Sequence, residues 1–333
     1  MELKQLGRTG VKVSELCLGC MMFGGKTRPD DSYPIIDRAI DAGVNFIDTA
    51  NVYSRGESEK VTGEALKRNG KRPSIVLATK VHGVMADDEP NASGNSRRHI
   101  IEQCEASLKR LQTDYIDLYQ IHRPEPQTPI DETLRALDDL IRSGKIRYIG
   151  TSTYAAWQSV EALWVAEKLG LNRFVTEQPP YNILDRRIER GLLPMAMHYG
   201  YGIIPWSPLA GGLLTGKYKR GEKAPEGSRF SDPNPRLASR FTDGVYDVTE
   251  ALEKVVAAKG VTLSQFALAW VLRQPGVTSP IIGPRTMEQL EDNLKAVEID
   301  ITDGDKATVD ELVPAGRMVS SFYEADFGAG TYR

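Results

Sequence analysis

The chain has 333 residues, 41% of them hydrophobic and 26% charged, which is ample apolar material for a large packed core. Its 42 basic and 45 acidic residues leave a net charge of −3, so there is no cationic surplus to neutralise a phosphate backbone, and nucleic acid is set aside as a partner. Residues Met1 to Gly7 carry charge from the start and no apolar run, unlike a secretory signal, and the expected location is cytoplasmic.

Along the chain, short apolar runs recur, each ending in a polar residue or glycine. They are Leu16–Gly19, Asn45–Asp48, Ile75–Lys80, Ile116–His122, Ile146–Ser152, Phe174–Gln178, Gly202–Ser207 and Pro280–Gly283. Most of their ends lie about thirty residues apart, the length of one strand-plus-helix unit. The runs are near-continuous rather than alternating, the pattern of strands covered on both faces. Between them, Arg97–Leu111 and Pro129–Ser143 place apolar residues at helical spacing, and Gly43, Gly144, Gly170 and Gly260 stand where helix C-caps belong. Eight units predict an α/β fold, a single (β/α)8 TIM barrel spanning residues 1–333, with extra helices and long loops at its C-terminal face. The rival doubly wound sheet requires G-x-G-x-x-G after the first strand, and Gly19 to Gly25 lacks that spacing.

Two intervals are long. Lys80 to His122 spans 42 residues and includes a polar loop at 86–98. Ser207 to Gly283 spans 76 and includes the loop 217–243 followed by a helix near Val245–Lys259. That loop and the tail 313–333 are expected to border the active site. The uncharged stretch Tyr199–Gly216 has the length of a membrane span, but Pro205, Pro208 and five glycines make it strand and loop. Cys17 and Cys20 have CxxC spacing without further ligands at matching positions, so the reading is apolar packing and no metal.

Barrel active sites lie where strands end, and the residues there are Asp48, Lys80, His122, Ser152, Gln178 and Ser207, with Tyr53 five positions past Asp48. A tyrosine is a weak acid at neutral pH, and a nearby ammonium makes it a better proton donor. Lys80 can supply that charge, Asp48 can hold Lys80, and His122 can hydrogen-bond a substrate oxygen, which together suit a carbonyl group. Lys80 also leaves open a Schiff-base lyase or aldolase.

The segments Asn45–Tyr53, Glu59–Gly63, Ala78–Lys80 and Asp117–His122 together resemble the aldo-keto reductase superfamily, in particular its aryl-alcohol dehydrogenase-like and potassium-channel β-subunit branches. The resemblance implies a tetrad of Asp48, Tyr53, Lys80 and His122, with Tyr53 as proton donor. It implies an oxidoreductase carrying hydride from NADPH to an aldehyde or ketone. A redox-reporting, NADPH-binding subunit is an alternative.

Ser152 and Gln178 would meet the nicotinamide amide, although Thr153 stands where the family often has Asn. Trp206 would stack on the ring, and Gly19 and Met21 would adjoin it. In Ser207–Lys217 the run Gly211–Lys217 fits G-x-x-x-x-G-K, but Tyr218 replaces the Ser/Thr of a magnesium-binding loop. The family places the dinucleotide bridge here, which implicates Ser207, Pro208, Leu209, Gly211, Leu213 and Lys217. Gly283 and Arg285 open a helix whose N-terminus suits a 2′-phosphate, favouring NADPH over NADH. Gln289 and Asn293 resemble adenine contacts, and Arg229 is a further phosphate candidate. Phe23, Tyr53 and His122 would touch the substrate, with Met21, Met22, Val52 and Met85 at the mouth. Oligomeric state is left at monomer by default.

Overall fold

All eight apolar runs form strands in the computed structural model, which describes residues 1–231 and 240–320. An antiparallel hairpin precedes them, β1 (Leu3–Gln5) and β2 (Lys12–Ser14). The eight are β3 (Cys17–Gly19), β4 (Phe46–Asp48), β5 (Val76–Val81), β6 (Ile116–Ile121), β7 (Ile146–Ser152), β8 (Thr176–Gln178), β9 (Gly202–Ile203) and β10 (Ile281–Ile282). They pair in parallel, in the order β10-β3-β4-β5-β6-β7-β8-β9. The seam closes where Thr278 N–H donates to Ile203 O and Ile281 N–H to Pro205 O, both at 2.8 Å. The architecture is a (β/α)8 barrel.

Helices alternate with the strands: α1 (Pro29–Asp41), α2 (Glu57–Arg68), α3 (Arg97–Leu111), α4 (Ile130–Arg142), α5 (Ala156–Leu169) and α6 (Leu192–Tyr199). After β9 come α7 (Asp243–Lys259) and α8 (Leu263–Leu272), and after β10 come α9 (Met287–Leu294) and α10 (Asp303–Leu312). Their ends follow local chemistry. Ser96 accepts from His99 N–H at the start of α3, and Thr262 and Gln265 cap α8 reciprocally. Gly170 and Gly260 cap α5 and α7 in the left-handed conformation, with φ of 63° and 69°.

Two apolar cores explain the unbroken strand runs. The outer one lies between the sheet and the helices. The inner one fills the barrel floor with Cys17, Phe46, Ala78, Leu118, Val175 and Ile204, and the hairpin contributes Leu6 and Val13 as a plug. The sequence analysis did not anticipate that hairpin. Its strands are three residues long, and Leu3 and Gln5 are exposed, so no apolar period marks it. Tertiary contacts hold it in place, including Arg8 N–H on Gly200 O at 2.9 Å and Lys4 Nζ on Leu272 O at 3.1 Å.

Cys17 lies in the inner core and Cys20 in the outer one, both as fully buried free thiols. Burial pushes Cys20 up to about 12 and Cys17 well above its ordinary value, which leaves both inert. The stretch Tyr199–Gly216 comprises the end of α6, β9 and a 3₁₀ turn at Ala210–Thr215. Among the described residues no single helix is long and apolar enough to cross a membrane.

Of the loop 217–243, residues 232–239 lie outside the described residues. Its first part is fastened to α7 by Arg220, whose guanidinium reaches Asp247 at 2.6 Å, Asp243 at 2.9 Å and Glu250 at 3.1 Å. Of the tail 313–333, residues 321–333 likewise lie outside. The described part pairs with the segment after β8, through Arg186 N–H on Arg317 O at 2.9 Å and Val319 N–H on Leu184 O at 3.0 Å.

Candidate active site

At the rim of the barrel the strand register brings Asp48, Lys80, Gln120 and Gln178 together. Asp48 ends β4 beside Ala78, and Lys80 stands beside Gln120 one step higher. Lys80 Nζ donates to Asp48 Oδ2 at 2.5 Å, Thr49 O at 2.8 Å and Tyr53 Oη at 3.3 Å, so all three ammonium protons are committed. The other Asp48 oxygen accepts from the amides of Gln120 and Gln178, each at 3.0 Å. Burial works against the Lys80 charge, but Asp48 and then Tyr53 more than offset it, and the ammonium is held above its ordinary value. That is unfavourable to Lys80 as a Schiff-base nucleophile.

Tyr53 projects from a 3₁₀ turn, Tyr53–Gly56, in which Ser54 and Arg55 have φ of 47° and 54°. Its ring lies edge-on to His122, with centroids 5.6 Å apart. His122 follows β6, almost wholly buried. Burial first, then the charges of Lys80, Arg123 and His82, hold it well below its ordinary value, so it is neutral at pH 7. A polar cluster at this depth, with its charges paired and hydrogen-bonded, is costly as mere structure.

Backbone strain gathers on the same face. Among the described residues, apart from Gln112, which caps α3, the non-glycine residues deep in the left-handed region are Ser54, Arg55, Thr153, Ser207 and Ala210, all on loops that follow strands β4, β7 and β9. Ser152 donates its hydroxyl to Gln178 O at 2.9 Å. Trp206 is partly buried and bonded to β8 through its N–H on Pro179 O at 2.9 Å. Asn182 supports Ser207 from below, with its amide on Ser207 O at 3.2 Å.

Beyond Ser207 the chain turns through Gly211 and Gly212, at φ of 67° and 109°, with the Gly212 N–H turned back onto Leu209 O at 2.8 Å. No helix follows at Lys217, unlike in a P-loop, and the Tyr218 ring is buried against Phe230 and Phe241. Pro208 and Leu213 are buried, and Leu209 is half-buried. Lys217 has no carboxylate partner among the described residues, and burial together with the Arg285 charge lowers it. Desolvation and then Arg285 also lower Arg229, partly opposed by Tyr218, though the residue keeps an exposed edge. Arg285 Nη1 donates to Gly227 O at 3.1 Å, which ties the loop to the start of α9. Arg285 acting on both Lys217 and Arg229 makes this a cationic place suited to an anion.

At α9, Thr286 caps the first turn and Gln289 Oε1 accepts Arg285 N–H at 2.8 Å, while Asn293 is buried one turn on. Gly283 faces open space, whereas a Cβ at Gly19 would lie 2.5 Å from Ile281 and 3.0 Å from Ile282 O, so close strand packing requires that glycine.

The structure does not bring every candidate together. Phe23, expected at the substrate mouth, is fully buried in the outer core, because its turn is folded inward by the Phe23 N–H bond to Cys20 O at 3.0 Å. Met21 takes the rim position, 40% exposed. Gln120 escaped the sequence analysis although it braces Asp48. The available signal was a lone amide in an apolar strand, two residues before His122 and on the same face.

Buried Lys, Asp and His side chains beside a half-buried Tyr on the C-terminal rim of a parallel barrel place the protein among barrel oxidoreductases. The profile of the aldo/keto reductase family matches residues 15–314, and the chain belongs to that family of carbonyl-reducing enzymes. Similar proteins include an uncharacterized oxidoreductase of Bacillus subtilis, YrpG, 43% identical over 90% of this chain and 92% of its own. A probable voltage-gated potassium channel subunit beta of Arabidopsis thaliana is 41% identical over 90% of this chain and 92% of its own. A putative aryl-alcohol dehydrogenase of Schizosaccharomyces pombe is 36% identical over 92% of this chain and 94% of its own.

Proposed function

We propose that the protein is an NADPH-dependent reductase of aldehydes or ketones, acting as one barrel domain of the cytoplasm, with the 217–243 segment and the tail bordering its site. The observation that carries this reading is the Tyr53 hydroxyl 3.3 Å from a lysine that Asp48 keeps charged. Tyr53 gives its proton to the carbonyl oxygen, and the Lys80 ammonium stabilises the phenolate left behind. His122, being neutral, orients that oxygen by a hydrogen bond without adding a second positive charge beside Lys80. When bound, the reduced nicotinamide nucleotide supplies the hydride that joins the carbonyl carbon.

The residues present fit such a nucleotide. Ser152 and the free end of the Gln178 amide suit the carboxamide, Trp206 suits the ring, and the Gly211–Gly212 turn with Lys217 suits the diphosphate. Arg285, with Arg229, favours a 2′-phosphate and hence NADPH over NADH. The test is fluorescence titration with each cofactor, beside a panel of aldehydes and ketones followed by loss of the reduced cofactor's absorbance. NADPH binding with turnover supports the reading. Failure to bind either cofactor overturns it.

The channel-subunit relatives favour a second reading, a subunit that holds NADPH and reports redox state. Persistent NADPH binding without turnover of any carbonyl would select it.

A further inference from the structure

Glu177 is fully buried on β8, and no step above uses it. Its neighbour Gln178 turns into the barrel toward Asp48, so strand alternation turns Glu177 outward, away from the cavity. There one carboxyl oxygen accepts Tyr154 N–H at 3.1 Å, and the other is hydrogen-bonded to the Thr151 hydroxyl. These two partners bracket Ser152 and Thr153. Thr153 has φ of 61°, a conformation a β-branched side chain adopts only when its surroundings impose it. Ser152 Oγ and Thr153 N–H both donate to Gln178 O, at 2.9 Å and 3.2 Å. The Thr153 hydroxyl folds back onto Ser152 O at 2.6 Å and so cannot reach outward. The turn is therefore held on both sides of its strained residue, and beyond Thr153 the holding group is Glu177.

We propose that Glu177 is a positioning residue whose carboxyl locks the Ser152–Thr153–Tyr154 turn in the shape that presents Ser152 to the nucleotide. The proposal rests on the cofactor-binding reading above.

A protonated Glu177 is compatible with the hydrogen bonds around it. The Thr151 hydroxyl has one proton, yet it lies within bonding distance of Glu177 and also 3.3 Å from Thr176 O. A neutral Glu177 donates to Thr151 Oγ1, which then donates to Thr176 O, and every partner is served. Burial pushes the carboxyl up to about 8, against the pull of its hydrogen bonds and of Arg123. The charged and titratable groups acting on it are Arg123, after β6, and Tyr201, ahead of β9. Once ionised, the carboxylate accepts from both the Tyr154 N–H and the Thr151 hydroxyl, so the turn stays held in either protonation state.

The test compares E177Q, which keeps an acceptor for Tyr154 and a donor for Thr151, with E177L, which keeps neither. Three quantities are read: hydrogen exchange of the Tyr154 amide in the protein alone, the NADPH Kd, and KM against kcat. E177L is expected to speed exchange and to raise Kd and KM, each by about tenfold, with kcat at saturation nearly unchanged. E177Q is expected to match the native protein at pH 7. If E177L does not fold, E177D, one methylene too short to reach Tyr154, carries the same expectations.

Unchanged exchange and affinity in the shortened or apolar variant would overturn the proposal. So would E177Q behaving like E177L. Altered exchange in a protein whose native form binds no NADPH would sink the cofactor reading instead, and would reduce Glu177 to a brace.

Discussion

In the proposed reaction the two halves of the Tyr53–Lys80 contact have different functions: the phenol carries the proton and the ammonium sets how readily it leaves. Removing the hydroxyl in Y53F is expected to lower turnover by about 10²-fold or more while leaving the NADPH Kd nearly unchanged, as read by steady-state kinetics beside fluorescence titration. Undiminished reduction by Y53F would refute the assignment. The buried histidines add a pH signature. His82, His99 and His122 are all held below the ordinary value of 6.5, chiefly by burial. The unfolded chain therefore binds their protons first as pH falls. Their contribution to stability is complete above pH 6.5 and is lost as pH drops from there through the lowered values. Thermal melts from pH 7.5 to 5 should show that decline, and H99Q should flatten it.

At the scale of elements, glycine decides how closely α2 and α3 pack. A Cβ at Gly63 would lie 2.5 Å from the Leu111 carbonyl, a backbone group that cannot swing aside. G63A is expected to destabilise the fold by about 1–3 kcal/mol in urea unfolding, through overpacking rather than helix propensity, which favours alanine. A stability gain would show that α3 can move. Glu59, on the same helix, ties α2 to both neighbours through Arg110 at 2.6 Å and Thr79 at 2.5 Å. The Glu59–Gly63 segment that carried part of the family resemblance is thus explained by packing.

Over the whole molecule, the proposed nucleotide groove is assembled from segments far apart in the chain: the end of β7, the run 206–217, the loop near Gly227 and the start of α9. Lys217, Arg229 and Arg285 are brought together only by barrel closure, and the Arg285 charge lowers both Lys217 and Arg229. R285A is expected to raise the NADPH Kd about tenfold and to change that of NADH little, and added salt should narrow the difference. Equal losses for both cofactors would place Arg285 on the diphosphate instead.

Much of this was legible in the sequence because it depends on local pattern. The eight strands follow from apolar runs at a recurring interval, α3 and its neighbours from helical spacing, and their ends from Gly170, Gly260, Ser96 and Thr262. The polar residues that end those runs fall at the rim because every parallel strand points the same way. Other features depend on distant partners and leave no local mark. The β1–β2 hairpin is a strand pair only because the barrel floor needs a plug. Phe23 is core rather than mouth because its turn folds inward. Gln120 and Glu177 acquire their partners from neighbouring strands, Asp48 in one case and the Thr151–Tyr154 turn in the other. Sequence by itself determined the barrel and which polar residues end its strands, because periodicity and residue type are local properties. Only the tertiary structure decided which side chains brace that chemistry and which are withdrawn into the core, because burial and hydrogen-bond partnership depend on what the rest of the chain brings alongside.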